Sequence, residues 1–219
     1  MKKEKIILVG TGQHFNVVLY NLREQNKYEV ACAIDGNPEN RGKTINGVYV
    51  EHIYEDLDAL KEKYNTNKFF ISFGSMKYRR EVYNSFVAKG WEAVNIIHPN
   101  AVIAPDAKIG KGVLIECGCL ITPNPTIGDN VVVNTGSQVN HDNVVENHVY
   151  IASGVILSGG VKIKENTLLD DGVIVTLGRT VGANCIIGAG AVITKDTSDK
   201  IVAYGNPARE IRENLNIGK

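Results

Sequence analysis

The 219-residue chain lacks the net charge and the long apolar runs that mark several common functional classes. Lys plus Arg and Asp plus Glu both number 24, so the formal net charge is zero. No overall field therefore attracts nucleic acid or an anionic membrane. No apolar run approaches the ~18 residues that cross a bilayer, and Met1-Lys2-Lys3-Glu4 leads into a strand-like run rather than a secretory segment. We expect a cytoplasmic protein without nucleic-acid partners or a membrane span.

Cysteine is also scarce, and its spacing argues against a cysteine-ligated metal site and a disulfide-linked fold. The four cysteines, Cys32, Cys117, Cys119 and Cys185, include no CxxC pair and no zinc-ligand spacing. Such thiols suit a reducing compartment in which they pack as small apolar groups. We expect neither disulfides nor a bound metal.

The strongest positive signal is a period of six residues. Every sixth position from Ile97 to Ile193, seventeen in all, is Ile, Val or Leu without a break. This period fits neither a helix nor an alternating strand, and the neighbouring residues are turn formers such as Gly, Asn and Asp. Each hexapeptide is therefore predicted to form a short strand and a corner, with its first and fifth residues pointing inward. Three hexapeptides close one triangular coil, so the repeats predict a prism of five to six stacked coils.

This pattern resembles the hexapeptide-repeat acyltransferases. Its motif recurs, for example, as Ile127-Gly128-Asp129-Asn130-Val131. The resemblance implies a left-handed parallel β-helix over residues 96–219, which ends in a short C-terminal tail. Pro125, Asn143 and Arg179 depart from the pattern, because they occupy fifth positions where a small apolar residue is typical.

Residues 1–95 show a different pattern, in which apolar strand-like runs alternate with helical segments. This alternation predicts a small α/β domain with a parallel, Rossmann-like sheet. The predicted strands are Lys5–Gly10, Glu29–Asp35 and Phe69–Gly74. Three helices are predicted. The first ends near Gln25, the second spans Tyr54–Tyr64 and the third spans Lys77–Lys89.

The turn after the first strand keeps only part of a dinucleotide fingerprint. Gly10 and Gly12 are present, but Phe15 stands where the third glycine would be, so NAD binding is not expected. Two glycines still let a ligand approach the backbone, and Asp35 can accept hydrogen bonds from a nucleobase or ribose. A purely structural turn fits the same two glycines equally well.

The order of the two domains points to one subfamily of the hexapeptide-repeat acyltransferases. A Rossmann-like module before a hexapeptide prism resembles the sialic-acid O-acetyltransferase and nucleotide-amino-sugar N-acetyltransferase subfamily. The resemblance implies that the first domain binds a nucleotide-linked amino sugar, with a 4-amino-4,6-dideoxy sugar favoured. It implicates Gly12, Gln13, His14, Asp35, Gly74 and Ser75 in substrate binding.

Acetyl transfer from a thioester to an amine requires a base, a group that orients it and an oxyanion donor. His141 is the third residue of its repeat and should face outward at a corner, next to Asp142. A solvated surface histidine is the ordinary alternative. The resemblance implies instead that His141 is the general base, with Asp142 orienting it. His148 is a competing base, but it lies seven residues later on a different face. No Ser, Cys or Lys has an evident activating partner, which favours direct transfer.

The C-terminal segment resembles the ending of hexapeptide enzymes that use acetyl-CoA as co-substrate. By position, the resemblance implicates Tyr150, Gly159, Asp171 and Ala189 in binding CoA, with Lys195 or Arg209 near its phosphates. It also implies a homotrimer whose three sites lie between subunits.

Three other functions remain open from the sequence. The acetyl acceptor could be a hydroxyl of sialic acid or serine, since the base and cofactor would be the same. A zinc lyase resembling the prism-type carbonic anhydrases would need three converging histidines, whereas His98, His141 and His148 are not separated by multiples of 18. The third alternative is a non-catalytic scaffold that binds sugar nucleotides.

Overall fold

A computed structural model describes residues 3–52 and 56–215. The chain divides into two compact units, Met1–Ile96 and Ile97–Lys219. The prediction of a helix from Tyr54 falls partly on residues 53–55, and the end of the predicted tail falls on residues 216–219. Both segments lie outside the described residues.

The first unit contains a four-stranded parallel sheet in which β1 (Glu4–Val9) lies between β2 (Tyr28–Ile34) and β5 (Lys68–Ile71), and β6 (Glu92–Ala93) pairs with β5 at the edge. Its strands and helices alternate, as the sequence predicts for a Rossmann-like unit. Their bounds are β1 Glu4–Val9, α1 Gln13–Gln25, β2 Tyr28–Ile34, α2 Leu57–Tyr64, β5 Lys68–Ile71, α3 Met76–Ala88 and β6 Glu92–Ala93. A short antiparallel pair, β3 Thr44–Ile45 and β4 Val48–Tyr49, follows a 3₁₀ turn at Pro38–Asn40.

One predicted strand is shorter than expected. The apolar run from Phe69 predicts a strand to Gly74, but β5 ends at Ile71. The reason lies in Arg79, whose buried guanidinium donates hydrogen bonds to the carbonyls of Ile71 at 3.0 Å and Phe73 at 2.9 Å. These carbonyls satisfy a side chain instead of a neighbouring strand, and the backbone turns into α3.

The second unit is the predicted parallel β-helix, made of seventeen two-residue strands that stack with a spacing of 18 residues. Three flat faces result. The long face contains β7 Ile96–Ile97, β10 Leu114–Ile115, β13 Val132–Val133, β16 Tyr150–Ile151, β19 Leu168–Leu169 and β22 Ile186–Ile187. The second face contains β8 Val102–Ile103, β11 Leu120–Ile121, β14 Gln138–Val139, β17 Ile156–Leu157, β20 Ile174–Val175 and β23 Val192–Ile193. The third face contains β9 Lys108–Ile109, β12 Thr126–Ile127, β15 Val144–Val145, β18 Lys162–Ile163 and β21 Thr180–Val181.

The predicted tail instead extends the long face. Strand β24 Ile201–Tyr204 pairs in parallel with β22, and β25 Arg209–Glu213 returns antiparallel to β24. This hairpin has no six-residue period, so the repeat could not predict it. No helix among the described residues is long and apolar enough to cross a membrane.

Inside the prism, the periodic aliphatic residues form one continuous buried core. Two of the three departures from the fifth-position pattern still point inward. Pro125 is buried, and Asn143 is fully buried while its Oδ1 accepts a hydrogen bond from the N–H of Val161 at 2.7 Å. Arg179 turns outward, with its Nε bonded to the carbonyl of Leu177 and Nη1 3.7 Å from Asp196.

Each corner of the prism requires one residue with a left-handed backbone. These residues recur every six positions from Gly112 to Gly190, and most are Gly or Asn. Asp142, with φ of 60°, and His148, with φ of 62°, occupy the same position. Asp142 is thus fixed by the fold at the turn immediately after His141.

Candidate active site

His141 lies at the corner between the second and third faces, which we call the histidine corner. Its side chain is 60% exposed, and Nδ1 lies 2.8 Å from Oδ2 of Asp142. The hydrogen bond with His141, together with a second from Asn124, holds the pKa of Asp142 below its usual range. An ionised carboxylate at Nδ1 favours the tautomer that carries the proton there, which leaves Nε2 as a lone-pair acceptor.

Gly159 lies one coil above His141 and leaves room for the imidazole. A Cβ atom added at Gly159 would come within 2.3 Å of Nε2 and 2.4 Å of Cε1 of His141. The backbones are linked as well, because the N–H of Gly160 donates to the carbonyl of His141 at 2.9 Å. Gly159, which the resemblance implicates in CoA binding, therefore also leaves the space that the imidazole of His141 occupies.

The histidine corner continues upward as a column of third-position residues: His141, Gly159, Leu177 and Lys195. Leu177 is strongly exposed. Three coils separate His141 from Lys195, a rise of about 14 Å at the usual spacing of parallel strands. The column thus joins an exposed imidazole to a lysine along an edge without bulky polar side chains.

A cavity of about 340 Å³ lies at the upper end of this column. Lys195 and Arg209 both line it, together with Asp196 and Glu210. The two carboxylates are engaged elsewhere: Asp196 accepts a hydrogen bond from the N–H of Thr180, and Glu210 accepts one from that of Ser198. Within residues 3–52 and 56–215, neither Lys195 nor Arg209 forms an ion pair. Lys195 and Arg209 therefore line this space without a carboxylate partner among the described residues.

The other predicted CoA residues lie away from His141 in the same chain. Asp171 and Ala189 belong to the corner between the long face and the second face, where Asp171 accepts a hydrogen bond from the N–H of Ser153 at 3.0 Å. Tyr150 lies half-buried on the long face, and its hydroxyl accepts a hydrogen bond from Nδ2 of Asn134 at 3.2 Å. The second face separates these residues from the histidine corner.

The first unit contains a cavity of about 410 Å³ at the carboxyl edge of its sheet. Three predicted substrate residues, Gly12, Asp35 and Ser75, line it together. An added Cβ at Gly12 would meet no atom within 4 Å, so this backbone is open to a ligand. Gly10 has φ of 97°, and a Cβ there would overlap the ring of Phe73. The partial glycine motif therefore serves both the turn and the cavity.

The Asp35 carboxylate is largely occupied by its own surroundings. It accepts hydrogen bonds from the N–H and hydroxyl of Thr11 and from the N–H of Asn37. Burial alone would raise the pKa of Asp35, but these bonds lower it below its usual value. Asp35 thus holds the turns that frame the cavity, besides facing it.

Gln13, His14 and Gly74 adjoin this cavity in sequence but do not line it. His14 is partly buried, and desolvation together with the charge of Arg79 lowers its pKa to about 4. The sequence interpretation missed Thr11, Gly36, Phe73 and Tyr78, which do line the cavity. Each lies next to a predicted turn, so the signal was their position after a parallel strand.

The geometry does not supply the histidine set of a zinc lyase. His98, His141 and His148 lie at three different corners of the prism. Among the described residues, no group of three or more His, Cys, Asp or Glu side chains is placed to hold a metal ion.

Comparison with known proteins gives the same architecture. The PglD N-terminal domain family matches residues 5–86. Perosamine N-acetyltransferase from Caulobacter crescentus, crystallised as a histidine-to-asparagine mutant with CoA and GDP-perosamine, is 30% identical to this chain. The match has a TM-score of 0.88 and covers 95% of this chain and 97% of that one.

Two further structures agree. The acetyltransferase domain of PglB from Neisseria gonorrhoeae, in complex with acetyl coenzyme A, is 28% identical, with a TM-score of 0.86 over 96% of this chain and 100% of that one. WeeI from Acinetobacter baumannii, at 24% identity and a TM-score of 0.75 over 94% of this chain and 100% of that one, shares the fold. No curated protein sequence matches significantly. Near-complete coverage by a 30% identical relative shows that the chain belongs to the hexapeptide-repeat N-acetyltransferases of nucleotide-linked amino sugars.

Proposed function

We propose that this protein transfers the acetyl group of acetyl-CoA directly to the amino group of a nucleotide-linked amino sugar, with His141 as general base. The observation that carries the proposal is the pair formed by His141 and Asp142, in which Nδ1 is engaged and Nε2 is left to accept a proton. An imidazole held through Nδ1, with Nε2 open, can take a proton from an attacking amine.

The reaction follows from this arrangement. The sugar amine attacks the thioester carbonyl carbon while Nε2 of His141 takes a proton from the amine nitrogen. A backbone N–H donor stabilises the oxyanion as the carbon–sulfur bond breaks. The CoA thiolate leaves and is protonated by the imidazolium, which restores the base. No residue of the protein becomes acetylated in this sequence of steps.

The histidine corner also suggests how CoA binds. The column from His141 to Lys195 offers an edge along which the pantetheine arm can lie, with the thioester beside the imidazole. Lys195 and Arg209 line the cavity at its upper end without carboxylate partners, and cations in this state favour phosphate groups. Acetyl coenzyme A and CoA are bound by the similar proteins of Neisseria gonorrhoeae and Caulobacter crescentus.

We further propose that the protein is a homotrimer in which neighbouring protomers complete each site. The outward residues of the second face are mostly aliphatic and exposed or half-buried: Val102, Leu120, Gln138, Ile156, Ile174 and Val192. Those of the third face are mostly polar: Lys108, Thr126, Val144, Lys162 and Thr180.

An exposed apolar face of this kind marks a contact between proteins. It is flanked by His141 at one corner and by Asp171 and Ala189 at the other. Packing of copies through this face would bring His141 of one protomer near the second set of CoA residues on the next, which supports a shared site.

The cavity beside Gly12, Asp35 and Ser75 is the proposed site of the nucleotide. Its open glycine backbone suits a diphosphate, and its place at the carboxyl edge of a parallel sheet is where such folds bind ligands. The Caulobacter relative was crystallised with GDP-perosamine, which supports an amino sugar on a nucleoside diphosphate. We propose a 4-amino-4,6-dideoxy sugar, as the sequence resemblance implies.

A thiol-release assay with acetyl-CoA tests this function, using UDP-, GDP- and dTDP-linked amino sugars, free sialic acid and serine as acceptors. We expect turnover with at least one nucleotide amino sugar and an amide-linked acetyl group in the product. Turnover only with a hydroxyl acceptor would identify an O-acetyltransferase instead. Nucleotide-sugar binding without thiol release would identify the non-catalytic scaffold. The variant His148→Asn tests the competing base, and it should retain the wild-type rate of thiol release.

A further inference from the structure

A residue outside the predicted site lies directly behind Asp142. Nδ2 of Asn124 donates a hydrogen bond to Oδ1 of Asp142 at 2.7 Å. The other oxygen of the same carboxylate, Oδ2, faces Nδ1 of His141 at 2.8 Å. Asn124, Asp142 and His141 therefore form a continuous chain of two hydrogen bonds at the histidine corner.

Asn124 reaches Asp142 because of the coil length. It precedes Asp142 by 18 residues, so it occupies the equivalent position one coil below. Both residues have left-handed backbones, with φ of 62° and 60°. The N–H of Asp142 also donates to the carbonyl of Pro123 at 3.2 Å. The backbone and the side chain of Asp142 are thus both anchored to the turn beneath them.

That turn is unusually constrained. Pro123 and Pro125 flank Asn124, and each proline fixes its own φ and restricts the residue before it. Asn124 itself is exposed, as are Asp142 and His141. An exposed ion pair contributes little in water and leaves its partners free to rotate. A second bond to the carboxylate, made from a rigid turn, removes that freedom.

We propose that Asn124 is a positioning residue for catalysis: it holds the Asp142 carboxylate so that Oδ2 keeps Nδ1 of His141 and directs Nε2 toward the amine. This inference rests on the proposed role of His141 as base. Asn124 touches neither substrate nor cofactor in this account, and it acts only through Asp142.

Glycine is the informative substitution, because most corners of the prism already place glycine at this backbone position. Asn124→Gly therefore removes the side chain without straining the turn. The matched control is Asn166→Gly. Asn166 has φ of 54° and donates through Nδ2 to Asn184 at 2.8 Å, one coil above, at a different corner. Both variants lose an asparagine from a left-handed turn and one bond along the stack. Asn166 is half-buried whereas Asn124 is exposed, and only Asn124 faces Asp142.

We expect kcat of Asn124→Gly to fall about tenfold, because a hydrogen-bond partner that orients a functional side chain contributes at least this much, with KM for both substrates within about twofold of wild type. Asn166→Gly should keep the wild-type kcat. In an Asp142→Gly background, adding Asn124→Gly should cause no further loss, because the residue through which it acts is gone.

A wild-type kcat in Asn124→Gly would overturn the proposal. So would a fall in kcat on adding Asn124→Gly to the Asp142→Gly variant that equals its fall in the wild-type protein. An equal fall of kcat in Asn166→Gly would also overturn it, because the effect would then belong to the stack as a whole. Failure of the proposed function would look different, since the wild-type protein itself would then release no thiol with any acceptor.

Discussion

At the scale of single residues, the histidine corner depends on what surrounds one imidazole. Asp142 engages Nδ1, while Gly159 leaves the space that the rest of the ring fills. Neither contact is strong by itself, because His141 and Asp142 are both more than half exposed. Orientation therefore rests on the steric fit at Gly159 as much as on hydrogen bonding.

Gly159→Ala tests the steric part of this account. The backbone of Gly159 is not left-handed, so alanine introduces no backbone strain, and the imidazole is the atom group that must move. Displacing a catalytic group by about 1 Å costs on the order of 100-fold in rate. We expect kcat to fall by about that factor while the melting temperature stays within a few degrees. A wild-type kcat in Gly159→Ala would contradict the steric role of Gly159, because the imidazole of His141 would then have another place that supports catalysis.

At the scale of the coil, buried polar residues link successive turns of the prism. Thr167 is fully buried; its hydroxyl donates to the carbonyl of Gly182 at 2.7 Å and accepts from the N–H of Cys185 at 3.1 Å. Ser137 makes the same pair of bonds to Ala152 and Val155. These hydroxyls satisfy backbone groups that a short two-residue strand leaves unpaired.

Thr167→Val should therefore destabilise the prism although the two side chains have nearly the same shape. It leaves one buried carbonyl and one buried N–H without a side-chain partner, at a cost of about 1–3 kcal/mol. Denaturant unfolding measures the difference. Thr126→Val, at an exposed outward position of the third face, is the control and should change stability little. Equal stability of the Thr167 variant and wild type would contradict this role.

A second element-scale prediction concerns pH and the link between the β4 region and α2. Burial alone would raise the pKa of Glu51, but hydrogen bonds from Lys63 and Tyr64 and from the N–H of His52 lower it to about 2. A depressed carboxyl pKa adds stability above the pKa of the unfolded chain, near 4.3. That stability is lost as pH falls through about 2.

Glu51→Gln should weaken the dependence of folding stability on pH. The difference in unfolding free energy between wild type and variant should be largest near neutral pH, roughly 3 kcal/mol from the shift alone, and should shrink as pH falls from about 4.5 to about 2. Urea unfolding at a series of pH values measures it. A difference that stays constant across this range would contradict the assigned pKa shift.

The period of six predicts the three-sided prism because one inward aliphatic residue per hexapeptide is what the core requires. The same logic cannot predict β24 and β25, whose antiparallel pairing follows no repeat. Nor does the sequence alone reveal Asn124, since its contact with Asp142 emerges only once the 18-residue coil sets the stacking register. His141 is predictable because its position in the repeat places it outward. Thr11 and Tyr78 follow parallel strands, but which residues of those segments line the cavity is seen only in the structure.

At the scale of the whole molecule, the proposed trimer rests on the contrast between two faces of the prism. Ile174 is 36% exposed on the apolar second face, and Val144 is 38% exposed on the mostly polar third face. Two residues of similar exposure and chemistry thus lie on faces with different proposed roles. The sequence predicted a trimer by resemblance, and the apolar face gives that prediction a location.

Ile174→Glu should dissociate the assembly, because it places a charge in an apolar contact. Val144→Glu should leave the oligomeric state unchanged. Sedimentation velocity distinguishes monomer from trimer for both variants. Dissociation by the Val144 substitution, with a trimer retained in Ile174→Glu, would assign the contact to the other face.

The most direct test of the account is the turnover number of His141→Asn, measured beside the dissociation constant for CoA. Asparagine keeps a polar side chain at the corner but cannot accept the amine proton. General-base catalysis contributes about 10²- to 10⁴-fold, so kcat should fall by a factor in that range while CoA affinity stays within about threefold. An unchanged kcat in this variant would contradict His141 as the base.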